Sequence, residues 1–243
     1  MFCFLILLFF FYLGEKPGNN NTNDTTPDLK DGATTAVEDF IRYSARGEWD
    51  KAMVNLSGEA LERVKVRHTK AQKVRILDLD LFVKTANSRY AEVEAEISLK
   101  LPDGTVSRQS YLYRLCRLNG TWKIFEQLTN QPNYGPEPEV GTVSPEQKEI
   151  IKQYLQLSAS GKWGEAAKYA TGKNSIDTVD TGGTTITDLQ LQPVAAKDAL
   201  SLVEARYKVQ KPGEMLREMR VLFELAKIDG DWKITRTALV WRE

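Results

Sequence analysis

The chain has 243 residues, of which 42% are hydrophobic and 27% are charged, with 33 basic and 33 acidic side chains. These values are ordinary for a globular protein that is long enough to form two modest domains. Because the formal net charge is zero, the chain lacks the general basic surface that nucleic-acid-binding proteins carry, and nucleic-acid binding is not expected.

An apolar run opens the chain. Positions 2–13 are uninterrupted apolar side chains, a run shorter than a membrane helix of about 20 residues but matching the central part of an export signal. Positions 14–32 are rich in Asn, Thr, Asp and Gly, the composition of a flexible tether. We predict a signal or membrane anchor at 1–13, a flexible tether at 14–32, and a membrane-anchored or secreted, extracytoplasmic protein. The layout is similar to that of bacterial lipoproteins, although Glu15 stands where their lipid-bearing cysteine follows the apolar run.

Two helices are predicted next. Thr35 and Glu38 have the spacing of a capping box, in which each side chain satisfies a backbone N–H of the first helical turn. An apolar stripe follows at helical spacing and consists of Val37, Phe40 and Ile41. Gly47 is placed to end this helix, and a short second helix begins near Trp49.

Strands follow the helices. Apolar and polar residues alternate between positions 91 and 99, which is typical of a strand with one face in water. The acidic members are Glu92, Glu94 and Glu96. We predict that these carboxylates are solvated rather than bound to Ca²⁺, because a calcium site needs oxygen ligands that converge from several directions.

A hairpin closes this set of elements. Asn119-Gly120 lies between an apolar run and Trp122, and Asn-Gly is a strong signal for a type I′ turn because both central residues need positive φ. The same pattern returns near the C-terminus as Asp229-Gly230 before Trp232. Each stretch therefore predicts a β-hairpin.

The two hairpins belong to an internal duplication. Trp232 lies 110 residues after Trp122, and we call this distance along the chain the repeat offset. Trp163 lies 114 residues after Trp49, in a matching Gly-x-Trp turn. Ser144, followed by Pro at the first helical position and Gln at the third, predicts the helix start of the second copy. We predict one domain at 33–130, a Pro-rich linker at 131–143 and a second domain at 144–243.

Helices with a Gly-x-Trp turn, followed by strands that end in an Asn/Asp-Gly-x-Trp-Lys-Ile hairpin, resemble the nuclear-transport-factor-2-like superfamily of cystatin-like α+β cone folds. The resemblance implies an α+β fold of two tandem cone-shaped domains, each with N-terminal helices packed on a twisted antiparallel sheet. Tandem copies behind an N-terminal membrane segment also resemble the extracytoplasmic part of TcpC-type conjugation proteins of Gram-positive bacteria.

Catalytic candidates follow from this resemblance, because some enzymes of the superfamily use a pocket carboxylate as general base, with Tyr or a protonated acid as hydrogen-bond donor to the developing oxyanion. The matching residues are Asp78 or Asp80 and Tyr111 or Tyr113. The Asp residues alternate with Leu and are expected to face solvent. The second copy has Val221 and Phe223 in place of the two Tyr residues, which argues against a shared active site.

Other reactive residues indicate no chemistry. His68 is the only histidine and lies in a basic run at 63–70, which we interpret as a solvated face. Cys116 lies in a predicted strand and is expected to be a structural thiol. No metal, cofactor or phosphate-loop motif is predicted.

The sequence therefore favours a non-enzymatic, exported or membrane-tethered tandem module for binding or assembly, attached to the membrane by its N-terminal segment. Its partner would be a protein or a small apolar ligand. The alternative is a pocket enzyme of the isomerase or dehydratase type.

Overall fold

The computed structural model describes residues 27–68, 73–128, 139–171 and 183–242. The predicted signal or anchor, the first part of the tether and most of the Pro-rich linker lie outside these ranges. We call residues 27–128 unit one and residues 139–242 unit two. The exact domain limits remain predictions.

Unit one consists of three helices followed by four strands. The helices are α1 (Pro27–Arg46), α2 (Trp49–Val54) and α3 (Gly58–Arg67). The strands are β1 (Arg75–Ala86), β2 (Tyr90–Lys100), β3 (Val106–Leu118) and β4 (Thr121–Leu128).

Unit two repeats this order. Its helices are α4 (Pro145–Ala159) and α5 (Trp163–Ala166), with a 3₁₀ turn at Ala167–Tyr169. Its strands are β5 (Thr185–Lys197), β6 (Leu200–Gln210), β7 (Arg217–Ile228) and β8 (Asp231–Arg242).

Each unit contains one antiparallel sheet in simple chain order, β1-β2-β3-β4 and β5-β6-β7-β8. The strand irregularities also recur at the repeat offset: the shift after Val83 matches the shift after Pro193, and the shift after Arg114 matches the shift after Glu224. β-bulges are positional features of a fold rather than random defects. The predicted α+β class and the tandem duplication are therefore confirmed.

The helices of each unit cover the inner face of its own sheet. In unit one, Val37 and Ile41 of α1 join Val93, Tyr113 and Leu115 in one buried cluster. In unit two the corresponding cluster includes Ile151 and Leu155 of α4 with Phe223 and Leu225 of β7. These apolar side chains recur at helical and strand periods, so burying them against each other accounts for the helix-on-sheet packing of both units.

The hairpin tips have the predicted backbone. Asn119 and Gly120 have φ values of 50° and 82°, and Asp229 and Gly230 have φ values of 53° and 94°. Both central residues of each turn therefore adopt the left-handed conformation of a type I′ turn. Trp122 beside the first tip is buried.

One helix start was predicted wrongly. Helix α1 begins at Pro27, so the last part of the predicted tether is helical and Thr35 lies within the helix. The Thr35 hydroxyl donates to the carbonyl of Asp31 at 2.7 Å, a bond that Thr makes inside helices. At Ser144 the predicted helix start is confirmed, and the structure adds a capping box, in which the Ser144 hydroxyl accepts from the Gln147 N–H while the Gln147 side chain accepts from the Ser144 N–H.

Candidate functional site: the interface between the two units

The outer faces of the two sheets are packed against each other. A third buried cluster combines Tyr90, Cys116 and Phe125 of unit one with residues of unit two. The residues from unit two are Val194, Ala195, Leu202, Leu222, Ala238 and Val240. Strands β3 and β7 are therefore buried on both faces over positions 112–116 and 221–225, by helices on one side and by the other unit on the other side.

A β-bulge in β4 turns an additional side chain toward unit two. Arg114 pairs with Glu126 and Leu115 pairs with Ile124, so Phe125 is the extra residue. Ile124 belongs to the inner cluster of unit one, whereas Phe125 belongs to the cluster between the units. The bulge thus places two consecutive residues, Phe125 and Glu126, on the outer face, which a regular strand does not do.

Four charged residues form ion pairs across the interface and beside it. Arg114 Nη1 lies 3.1 Å from Glu126 Oε2 in its own sheet and 3.4 Å from Glu224 Oε2 of unit two. Arg236 of unit two binds Glu126 through two nitrogens, with Nε donating to Oε1 at 2.8 Å. We call Arg114, Glu126, Glu224 and Arg236 the charge quartet.

In the charge quartet, the two units carry opposite charges at equivalent positions. The repeat offset relates Arg114 to Glu224 and Glu126 to Arg236, so each residue meets its own counterpart across the interface. With identical residues in the two copies, these contacts would join Arg to Arg and Glu to Glu. The exchange makes both contacts attractive between unit one and unit two, and it makes the same contacts repulsive between two copies of either unit.

Tyr90 and Glu92 extend the quartet within unit one. The Tyr90 hydroxyl donates to Glu92 Oε1 at 2.5 Å and accepts from Arg114 Nε at 2.5 Å. Burial raises the pKa of Glu92, while the bond from Tyr90 and the charge of Arg114 act in the opposite direction. Burial by itself lowers the pKa of Arg114, but Tyr90 and the carboxylates of Glu126, Glu224 and Glu92 raise it above its ordinary value. Arg114 therefore stays charged although its side chain is only 1% exposed.

The prediction of solvated carboxylates on β2 was wrong for Glu92, which is 1% exposed. It fails because the outer face of β2 is covered by unit two at this position. Farther along the strand, Glu94 is half-buried beside Lys84 at 3.1 Å, and Glu96 is exposed as predicted.

A cleft of about 590 Å³ lies between α3, the β3–β4 hairpin and β8. Its apolar lining comes from both units and includes Leu56, Leu61, Leu118, Leu239 and Trp241. Its charged lining holds three cations, Lys65, Lys123 and Arg242, and one acid, Glu62. Glu62 lies 3.3 Å from Lys65 and 3.6 Å from Arg242, so one carboxylate is shared by two of the cations.

The structure brings the two tyrosine candidates together, with the ring centroids of Tyr111 and Tyr113 6.3 Å apart, but it leaves the aspartates in solvent. Asp78 is exposed and its carboxylate accepts from the N–H of the next residue, Leu79, at 3.1 Å. Tyr113 is 3% exposed in the core of unit one, where its ring meets Phe40 edge-on at 6.0 Å. The Tyr111 hydroxyl donates to Gln109 Oε1 at 2.9 Å, and burial raises the pKa values of both tyrosines. Asp80 is exposed as well.

The remaining reactive residues have structural contacts. Cys116 is buried between the units, and burial raises the pKa of its thiol to about 12. The ring of His68 lies 3.0 Å from the carbonyl of Val64 and 6.2 Å from the ring of Trp49. Within the described ranges, no group of three or more His, Cys, Asp or Glu residues is placed to hold a metal ion.

Among the helices that the structure describes, none combines the length and the apolar character needed to cross a membrane. The apolar run at 2–13 lies outside the described residues.

No protein-family model and no curated protein matches this chain. A solved structure described as "Ntf2 like protein involved in plasmid conjugation" aligns with 84% of this chain and 94% of its own length, at 5% sequence identity and a TM-score of 0.35. The fold class follows from the strand order, the registers and the recurring bulges of the two units.

Proposed function

We propose that this chain is a non-enzymatic tandem module for binding or assembly, exported or held at a membrane by its N-terminal segment, and that its partner is a protein. The supporting observation is the interface itself. The two sheets bury their outer faces around the charge quartet, and this joins the units into one body with a cleft that both units build. Asp78 is exposed, whereas Tyr111 and Tyr113 pack in the core of unit one, and this separation of the acid from the tyrosines favours binding over catalysis.

The chemistry of the 590 Å³ cleft supports a protein partner of a particular kind. Its apolar side chains can receive one or two apolar anchors, and anchors of this kind dominate the energy of protein interfaces. Its three cations outnumber the single acid Glu62, so the cleft attracts negative charge. The occupant that fits both features is a short acidic segment of another protein that carries an apolar residue.

A displayed library of random peptides tests this assignment. We expect the purified full-length chain to select peptides in which Asp or Glu flanks an apolar residue. Lys65→Glu should weaken the selected peptides at least about tenfold, because it reverses a charge in the cleft lining. Lys148→Glu is the matched control, since Lys148 is exposed on α4 of unit two and away from the cleft.

Two results would count against the partner. Selected peptides that bind equally well to the Lys65→Glu variant do not use the cleft. Exclusive binding of uncharged apolar compounds would assign the cleft to a small apolar ligand instead.

The location is tested separately. In cells that make the full-length chain, a protease added outside intact cells should digest units one and two. Recovery of the chain in the cytosolic fraction with residues 1–13 intact would contradict export and tethering.

A further inference from the structure

A second, smaller cleft of about 220 Å³ also lies between the units. Unit one contributes Arg89 and Arg117 to its lining, and unit two contributes Arg206 and Arg220. The only acid in this lining is Glu204, and the other lining residues are Ser88, Tyr90, Cys116, Gly120, Val194 and Leu222.

The single carboxylate does not balance the four guanidinium groups. Glu204 binds Arg206 Nε through Oε1 and Arg220 Nη2 through Oε2, both at 2.5 Å. The bonds of the other two arginines go to neutral acceptors: Arg117 Nε donates to the Gly120 carbonyl at 3.0 Å, and Arg89 Nη1 donates to Gln192 Oε1 at 2.8 Å. Neutral acceptors leave the charge of a guanidinium uncompensated, so this lining keeps an excess of positive charge.

Burial of part of the lining strengthens the positive electrostatic potential in the cleft. The Glu204 and Arg220 side chains are 8% and 14% exposed, so part of the charged lining is removed from bulk water. A concave surface of one sign with low-dielectric walls concentrates the field and attracts counter-ions.

The cluster is a feature of this interface and not a by-product of the duplication. At the repeat offset, Arg89 matches Ala199, Arg206 matches Glu96 and Arg220 matches Ser110. Arg117 matches Lys227, so none of the four equivalent positions holds an arginine and only one of them holds a cation.

We propose that this cleft binds a phosphate group. All four cations are Arg, whose planar fork of N–H donors matches the oxygens of phosphate in bidentate pairs. The volume of about 220 Å³ is below the roughly 300–1,000 Å³ of pockets for drug-sized ligands, which suits a small anion or a headgroup. A phosphate bound here contacts arginines of both units and stabilises their association.

The test uses the purified full-length chain and inorganic phosphate, followed by calorimetric titration and thermal unfolding. Phosphate should raise the unfolding temperature above the value in sodium chloride of equal ionic strength, because a ligand that binds only the folded state stabilises it. Arg117→Gln with Arg206→Gln should weaken phosphate binding at least tenfold. Arg117 is exposed and the Arg206 side chain is 39% exposed, so both positions tolerate the change without loss of the fold.

The control variant is Arg75→Gln with Arg108→Gln, which removes two exposed arginines of unit one that do not line the cleft. It should bind phosphate as the unchanged chain does.

A second arm distinguishes free phosphate from a lipid headgroup. Co-sedimentation compares vesicles of phosphatidylglycerol with vesicles of phosphatidylcholine, so that membrane attachment through residues 2–13 is common to both. Cleft-dependent binding of inorganic phosphate identifies a soluble phosphate, and cleft-dependent preference for phosphatidylglycerol identifies a headgroup. The proposal is overturned if neither arm shows binding, or if the Arg117→Gln, Arg206→Gln variant and its control behave alike.

Discussion

Replacing Arg114 with Met should destabilise the protein far more than an ordinary surface change. Three carboxylates surround this guanidinium at 3.1, 3.4 and 3.7 Å, from Glu126, Glu224 and Glu92 respectively. Without Arg114 they are left with Arg236 as the remaining cation of the quartet, in a site where Arg114 itself is 1% exposed. Removing one partner of a buried ion pair costs about 3–5 kcal/mol of unfolding free energy. At about 2–4 °C per kcal/mol for a chain of this size, the unfolding temperature should fall by about 6–20 °C.

Differential scanning calorimetry measures this shift, and Arg42→Met is the matched control. Arg42 also pairs with a glutamate, Glu38, at 2.7 Å, but both side chains are nearly half exposed. An exposed pair contributes about 0–1 kcal/mol, so the control should unfold within a few degrees of the unchanged chain. Equal shifts for Arg114→Met and Arg42→Met would refute the reasoning.

A rescue variant separates lost charge balance from lost packing. Arg114→Met combined with Glu92→Leu and Glu224→Leu removes the unpaired acids and leaves the Glu126–Arg236 pair intact. Unit two already has Leu202 at the position equivalent to Glu92, so an apolar side chain is compatible with this site in the fold. Since apolar replacement of buried ion pairs is often neutral or stabilising, most of the lost stability should return. Failure to recover would show that Arg114 acts through packing.

Two further predictions concern the same interface. The pKa of Glu92 is raised by burial in the folded state, so its contribution to stability is present below the ordinary carboxyl pKa and is lost as pH rises through the folded value. In urea unfolding, the stability of Glu92→Gln relative to the unchanged chain should therefore increase as pH rises above the ordinary carboxyl pKa, and a pH-independent difference would contradict this. Gly58 at the start of α3 has φ +49°, and an added Cβ would lie 2.0 Å from the carbonyl oxygen of Leu239 in β8. Gly58→Ala should thus lower the unfolding temperature more than Gly104→Ala does. A Cβ at Gly104 meets no atom within 4 Å, so the control carries only the left-handed strain of about 1–2 kcal/mol. Equal decreases in unfolding temperature would argue against contact of α3 with β8.

Local chemistry explains what the sequence predicted correctly. Asn119-Gly120 and Asp229-Gly230 specify their turns because Asn, Asp and Gly adopt positive φ more readily than other residue types. The capping box at Ser144 is also complete within a single helical turn. Thr35 and Glu38 have the same local pattern, but helix α1 starts earlier at Pro27 and the pattern lies inside it.

The interface between the units depends on long-range packing, and the alternation around Glu92 does not indicate what covers the outer face of the sheet. Apolar and polar residues can alternate along a strand with a period of two whether the outer face of the sheet lies in water or against another unit. A signal was nevertheless available in the duplication. At the repeat offset, Arg114 aligns with Glu224 and Glu126 aligns with Arg236, and such a reciprocal exchange is the pattern expected of counterparts that touch.

The contact between Glu126 and Arg236 tests most directly whether the two units form one body. A double-mutant cycle with Glu126→Gln, Arg236→Gln and the double variant measures their coupling free energy, which distant changes in separate units would not show. The charged contact across the interface predicts a favourable coupling of at least about 1 kcal/mol. Additive effects, with a coupling within about 0.3 kcal/mol of zero, would contradict the packing of unit one on unit two.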